Sequence, residues 1–215
     1  MTTILFLTLL GKPMPERLKA FRKEPKVTYQ LLHQTAFDES QHLQLRWRAL
    51  TTMGPLDAGY FEKDLAKALK SKDWFIRNAA LIAILSEPRD NAVKWSIEAL
   101  KDPALMVRTQ AVRNLVGLEA KETENLLWQQ IWNKKNFRGT ESLWIRAHIA
   151  EALARMATQG SAKGFQRLIQ DPDARLHKWA ILGLEKSTGY KLSSKQEPVE
   201  VQRQKWLARL GVDFI

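Results

Sequence analysis

The period of this chain is set by the stretch DPALMVRTQAVRNL at residues 102–115. Its Arg108 follows an apolar residue, with Ala111 three positions later and Leu115 seven positions later. The same pattern recurs at four further anchors, namely Arg46, Arg77, Arg146 and His177. Three of the four intervals between anchors are 31 residues and the fourth is 38. A period of this length indicates a small structural unit repeated along the chain.

A second apolar track predicts that each unit contains two helices. It runs at the same period through Leu69, Leu100, Ile131 and Ile169. We call the helix that ends on this track the A helix, and the helix that carries the anchor the B helix. Asp102-Pro103 and Asp171-Pro172 predict helix starts, with proline at the first helical position. Asp73 is expected to cap a helix that begins at Trp74, and Gly54 and Gly117 are expected where B helices end.

Neither helix of such a unit can bury its apolar face alone, so neighbouring units must share one core. The sequence therefore predicts an all-α fold, an α-solenoid (superhelix) of about five to six two-helix repeats. Residues 1–38 form a capping segment, and residues 39–187 form the array, with an insertion near 133–144. Residues 188–215 form a link and a capping helix from about 198 to 210.

The pattern resembles HEAT repeats, in particular the short type known from the phycobilin-lyase group. The matching features are the Asp-Pro opening, the Val-Arg pair and the Ala and Leu at the third and seventh following positions, over residues 40–187. The resemblance implies a structural ladder of Asp and Arg between neighbouring repeats, formed here by Asp73, Arg77, Asp102, Arg108, Arg146 and Asp171. His177 departs from the pattern and weakens the ladder near the C-terminal end.

The same resemblance implies that the B helices line a concave groove. The helix face opposite the core falls one, five and nine positions after each anchor. The predicted partner-binding residues on or beside this face are Trp47, Asn78, Ile82, Arg113, Arg155, Lys178 and Trp179. A binding surface and an ordinary solvated helix face both fit this pattern.

Two further features have open interpretations. The inserted segment places basic side chains around one aromatic residue, namely Lys134, Lys135 and Arg138 around Phe137. Such an insertion is either functional or a tolerated surface loop. Trp74 and Trp144 come just before their anchors, and we expect them to seal the starts of B helices.

The formal net charge of +11 points to an anionic partner, either an acidic protein, a nucleic acid or a membrane surface. The chain has no cysteine, and its four histidines lack metal-ligand spacing. It also lacks the His-Glu dipeptides through which HEAT-repeat hydroxylases bind iron, and it has no glycine-rich phosphate loop. The sequence therefore predicts no catalysis, no cofactor and no metal.

The predicted function is a non-catalytic HEAT-repeat scaffold that binds an acidic protein or peptide in its groove. The alternative is a basic solenoid that binds nucleic acid, like the HEAT-like DNA glycosylases, although their catalytic aspartate has no counterpart at a groove position here. The partner's identity and the oligomeric state stay open.

The apolar run ILFLTLL at residues 4–10 is too short to span a bilayer. It is either an element that packs on the end of the fold or the remnant of a signal sequence that starts upstream. The first interpretation favours a cytoplasmic protein and the second an exported one.

Overall fold

The computed structural model describes residues 2–56, 58–192, 194 and 196–211. Within this part of the chain the protein is helical, as predicted, apart from one short β-hairpin. The helices are α1 Thr3–Leu10, α2 Met14–Phe21, α3 Pro25–Phe37, α4 Leu43–Leu56, α5 Ala58–Leu69, α6 Trp74–Ala83, α7 Arg89–Ala99, α8 Leu105–Gly117, α9 Glu124–Ile131, α10 Ile145–Met156, α11 Ala162–Leu168, α12 Ala174–Thr188 and α13 Val199–Arg209. The strands are β1 Phe137–Arg138 and β2 Glu141–Ser142.

The helices group into two compact units, Met1–Asn114 (unit 1) and Leu115–Ile215 (unit 2). In unit 1, α3 packs on α4, α4 packs on α6, and α5 packs on α6. In unit 2, α9 packs on α10, α10 packs on α12, and α11 packs on α12. Each of these A helices therefore lies against the B helix that follows it, and within its unit α4 is a neighbour of α6, as α10 is of α12.

The predicted core positions of the B helices are confirmed. The side chains three positions after the anchors are all fully buried, namely Ala49, Ala80, Ala111, Ile149 and Ala180. The side chains seven positions after the anchors are also fully buried, namely Met53, Ile84, Leu115, Leu153 and Leu184. Burial of a Leu- or Ile-sized side chain stabilises the fold by about 1.5–3 kcal/mol, so this repeated pattern supplies much of the core.

Gly54 and Gly183 lie at places where neighbouring helices approach closely. A Cβ on Gly54 would lie 2.7 Å from the carbonyl oxygen of Ala83, and one on Gly183 would lie 2.3 Å from the Phe165 ring. The prediction that Gly54 ends a B helix is wrong, because α4 continues to Leu56. Gly54 instead allows α4 and α6 to pack closely.

The predicted helix starts at the Asp-Pro pairs are also wrong by two residues. Helix α8 begins at Leu105 and helix α12 at Ala174. In each case the aspartate first closes a local turn: Asp102 Oδ1 accepts the Ala104 N–H at 2.7 Å, and Asp171 Oδ1 accepts the Asp173 N–H at 2.9 Å. Side-chain hydrogen bonds of this kind compete with the first helical turn.

The inserted segment is a β-hairpin rather than a loop. Phe137 pairs with Ser142 and Arg138 pairs with Glu141, which leaves Gly139-Thr140 as a two-residue turn. Gly139 has φ +60°, and a two-residue hairpin turn of type II′ requires a positive φ at its first position. The hairpin precedes α10 directly and so lies beside the anchor Arg146.

The N-terminal apolar run forms α1, which packs through Phe6 and Leu10 on α2 and α4. Helix α13 closes the other end of the chain, where it packs on α12 and buries Trp206 and Leu207. No helix within the described ranges combines the length and hydropathy that a membrane span requires.

Candidate partner-binding cleft

Arg46, Arg77 and Arg146 each form an ion pair with the aspartate that precedes the next B helix. Arg77 donates Nε and Nη2 to the two oxygens of Asp102, at 2.6 and 2.8 Å. Arg146 donates Nη2 and Nη1 to the two oxygens of Asp171, at 2.6 and 3.3 Å. The hydrogen bonds to Asp102 raise the pKa of Arg77, so its guanidinium stays charged. A looser contact of 3.6 Å joins Asp73 to Arg46, an anchor that the proposed ladder had left out.

The anchors also bind main-chain carbonyls near the ends of the preceding helices. Arg77 Nη1 donates to the oxygen of Ser71, and Arg108 Nη1 donates to those of Asp102 and Pro103 at 2.9 Å each. His177 Nε2 lies 2.7 Å from the main-chain oxygen of Asp171. Asp171 precedes His177 by six residues, as Asp102 precedes Arg108. Histidine therefore takes over this carbonyl contact from arginine. These groups position the B helices and leave their outer faces available.

The outer face of unit 2 contains a cleft of about 430 Å³ between α10, α12 and the start of α13. We call it the α10/α12 cleft. Its lining residues are Ala147, His148, Glu151, Ala174, Arg175, Lys178, Trp179 and Val199. The cleft is thus lined by two of the predicted groove residues, Lys178 and Trp179. The Lys178 Nζ lies 4.6 Å from the centre of the Trp179 ring, within the range of a cation–π contact.

Two of the charged residues that line the cleft, Glu151 and Arg175, are held in ion pairs. Arg155 binds Glu151 at 2.8 Å and so offsets the acidic group in the middle of the face. Arg175 binds Asp173 at 2.8 Å. Burial opposes the ionisation of Asp173, but hydrogen bonds from Arg175 and Ser142 outweigh it and lower the pKa of this carboxyl. Of the lining cations, Arg175 is therefore already paired with a carboxylate, and Lys178 supplies the positive charge of the rim.

Three small or aliphatic side chains give the cleft its apolar part, namely Ala147, Ala174 and Val199. The ring of half-buried Trp179 supplies an aromatic surface beside them. Such a site accommodates an apolar side chain while its cationic rim meets a carboxylate. Sequence reasoning missed His148, Arg175 and Val199, because Val199 comes from the capping helix and the other two lie outside the predicted stripe.

The other predicted groove residues are spread over both units. In unit 1, Trp47 and Ile82 are half-buried and Arg113 is exposed. Asn78 is buried, and its Nδ2 donates to the Met106 oxygen at 3.3 Å, so its side chain holds α6 beside the segment that starts α8. In unit 2, Arg155 is exposed and lines a separate cavity of about 350 Å³ with Lys186.

Unit 1 carries an exposed apolar row that the groove prediction did not include. Leu43, Trp74 and Met106 stand three, three and two positions before their anchors, and are 54%, 48% and 39% exposed. Trp74 begins α6 and Trp144 directly precedes α10, so both stand at the starts of B helices, with Trp144 47% exposed. The repeat alignment does not place all three together, because Met106 stands one position later in its repeat than Leu43 and Trp74 do in theirs.

The aromatic side chain of the insertion packs against Arg146. Phe137 is half-buried, and its ring lies 4.4 Å from the Arg146 guanidinium carbon. Lys134, Lys135 and Arg138 are exposed around it. The hairpin therefore shields the Arg146–Asp171 pair, and its cations lie on the surface.

Within the described part of the chain, His, Asp and Glu side chains do not gather in groups of three that could hold a metal ion. Neither a protein-family model nor a curated protein matches the sequence. Among solved structures, the chain is similar to the crystal structure of an engineered protein, a Northeast Structural Genomics Consortium target. The TM-score is 0.55 and the sequence identity 17%, over 86% of this chain and 87% of that one. At this identity the similarity concerns the fold alone.

Proposed function

We propose that the protein is an α-solenoid of HEAT-like repeats that acts as a non-catalytic scaffold and binds an acidic segment of a protein partner on its B-helix face. The repeated anchors, the shared core positions and the A/B packing within each unit support the solenoid. In such arrays each two-helix repeat buries its apolar face on the neighbouring repeats, and the outer helix faces are free to bind.

The observation that carries the proposal is the α10/α12 cleft. Protein-binding sites concentrate their affinity in a few aromatic and cationic side chains that lie within a concave apolar patch. Trp179 and Lys178 provide this combination above Ala147 and Ala174. A peptide with an apolar side chain next to Asp or Glu fits both parts, because its carboxylate reaches Lys178 while its apolar group replaces water on Trp179.

A direct test is fluorescence anisotropy with short labelled peptides that alternate Glu and Leu, compared with peptides that alternate Lys and Leu. We expect the acidic peptides to bind more tightly. Trp179→Ala and Lys178→Glu should each weaken binding about tenfold or more, which corresponds to about 1.4 kcal/mol. Since both side chains lie on the outer face, the melting temperature should stay nearly unchanged.

Lys67→Glu is the matched control, because the Lys67 Nζ also lies over an aromatic ring, 4.4 Å from the centre of Phe37, but on an A helix of unit 1. The proposal fails if Lys67→Glu weakens peptide binding as much as Lys178→Glu does. A large fall in melting temperature for Trp179→Ala would show instead that Trp179 belongs to the core.

A basic solenoid that binds nucleic acid is the second candidate, favoured by the net charge of +11. A groove that binds a phosphate backbone is expected to be uniformly positive. The α10/α12 cleft is instead lined by the carboxylate Glu151 and by apolar side chains, which favours a peptide partner.

A further inference from the structure

The N-terminal helix α1 presents an uncovered apolar face. All eight of its residues are uncharged, and only Phe6 and Leu10 are buried. Ile4, Leu5 and Leu7 are 81%, 50% and 38% exposed. A helix that is apolar on every side normally lies in a protein core or in a membrane. Here one side is covered by the protein and the other side faces outward.

Helix α1 is nevertheless fixed firmly to unit 1. The Phe6 ring stacks on Phe21 with 5.6 Å between the ring centres. Arg17 Nη1 donates to the Leu10 oxygen at 3.3 Å, and Arg48 Nη1 donates to the Gly11 oxygen at 3.2 Å. Two cations thus bind the carbonyl end of the helix, where the helix dipole favours positive charge. The exposed apolar side chains are therefore displayed on a rigid support.

The segment that follows α1 is rich in exposed cations. Residues 12–26 contain six basic and two acidic side chains. Five of the basic side chains are exposed, namely Lys12, Lys19, Arg22, Lys23 and Lys26. The sixth, Arg17, is buried, and burial together with the nearby Arg48 lowers its pKa. An uncharged apolar helix is thus followed directly in the chain by a segment rich in exposed basic side chains.

We propose that α1 and the basic segment 12–26 dock the protein on an anionic membrane surface. Helix α1 would lie in the plane of the interface, with Ile4, Leu5 and Leu7 in the acyl boundary and the lysines among the headgroups. Interfacial helices insert to a depth of about 5–10 Å, which is comparable to the diameter of a helix and needs no span. With eight residues, α1 is about 12 Å long, far shorter than a bilayer core.

Charge decides between a lipid surface and a second copy of the chain as the occupant of this face. Two copies that met through α1 would bring their two basic segments close to each other, and the like charges of these segments would repel. An anionic bilayer offers apolar chains and negative headgroups at once, so it complements both parts of the surface.

Co-sedimentation with vesicles tests the proposal. The probes are phosphatidylcholine vesicles with and without about 30% phosphatidylserine, at physiological ionic strength. We expect the protein to bind the anionic vesicles at least about tenfold more tightly than the neutral ones. The double variant Ile4→Glu/Leu5→Glu should lose binding to both. Lys19→Gln/Lys23→Gln should weaken only the binding to anionic vesicles, and added salt should remove that difference.

Leu85→Glu is the matched control, because Leu85 is 49% exposed in the same unit but lies outside α1 and the basic segment. It should bind vesicles like the unaltered protein, and so should Trp179→Ala, which separates this surface from the α10/α12 cleft. Equal binding to both vesicle types, or an equal loss for Leu85→Glu, would overturn the proposal. So would a lipid-free dimer that Ile4→Glu/Leu5→Glu dissociates, because α1 would then join two copies.

Discussion

Arg146 and Arg155 stand on the same helix, α10, and each binds a carboxylate, but their surroundings differ. The side chains of Arg146 and Asp171 are 1% and 5% exposed, whereas those of Arg155 and Glu151 are 58% and 27% exposed. Arg146→Ala would leave the buried Asp171 charge without its main partner, so the free energy of unfolding should fall by about 3–5 kcal/mol. Arg155→Ala should lower it by less than about 1 kcal/mol.

Urea denaturation of the two variants measures this difference directly. Similar losses for both would mean that Asp171 finds another partner and that the ion pair does not hold the B helices together. The pairing was expected from the resemblance to HEAT repeats, which implies a ladder of Asp and Arg that includes Arg77, Asp102, Arg146 and Asp171. The shielding of Arg146 by Phe137 was not foreseeable, since it depends on the fold of the inserted segment.

Glu87 should make the stability of unit 1 depend on pH. Its Oε1 is buried and has no hydrogen-bond partner among the described residues. Burial, with a smaller contribution from Glu62, raises the pKa of Glu87. The folded protein then binds a proton more tightly than the unfolded chain does. The stabilisation that comes from this tighter proton binding is complete below the pKa of Glu87 in the unfolded chain, about 4.3. It is lost as the pH rises through the pKa of Glu87 in the folded protein.

Glu87→Gln, which cannot ionise, should therefore be more stable than the unaltered protein at neutral pH, and this difference should shrink in acid. Thermal unfolding at several pH values gives the comparison. Glu62→Gln is a useful companion variant, because removal of the neighbouring charge should give a smaller gain in the same direction. A Glu87→Gln protein that is less stable at neutral pH would show that the carboxylate has a favourable partner.

At the scale of the elements, the glycines show how closely the helices pack. A Cβ on Gly183 would lie 2.3 Å from the fully buried Phe165 ring, so α11 and α12 would have to move apart. We expect Gly183→Ala to lower the free energy of unfolding by about 1–3 kcal/mol. Gly117 is the control, because a Cβ there meets nothing within 4 Å, and Ala is the better helix former. If the two variants unfold alike, the close approach at Gly183 has no energetic importance.

The positions of the B helices could be predicted because apolar side chains recur on one face through about three turns, as Ala111 and Leu115 do after Arg108. Their first residues could not be predicted, because Asp102 and Asp171 close local turns that delay the helix. The strands Phe137–Arg138 and Glu141–Ser142 have two residues each, which is too short for an alternating pattern to show. The α10/α12 cleft was found in part, because only tertiary packing brings Val199 beside Trp179.

At the scale of the whole molecule, the charge is a property of the entire sequence. The net charge is +11, and residues 1–40, 41–100, 101–160 and 161–215 each contribute between +2 and +4. A charge distributed in this way attracts any polyanion over long distances, and salt screens that attraction within about 10 Å at 0.1 M. Binding at low salt is therefore weak support for a nucleic-acid function, and the salt dependence is what separates the two candidates.

Anisotropy titrations with labelled single- and double-stranded DNA and RNA, from low to physiological salt, provide the last test. We expect nucleic acids to bind at low salt and to dissociate as salt is added, since counterion release drives such binding. Trp179→Ala should leave that binding unchanged while it weakens the binding of acidic peptides, because under the scaffold proposal Trp179 would contact an apolar side chain of the peptide in the α10/α12 cleft. Nucleic-acid binding that persists at physiological salt and weakens in Trp179→Ala would assign the cleft to stacked bases, and the scaffold proposal would be replaced by the nucleic-acid one.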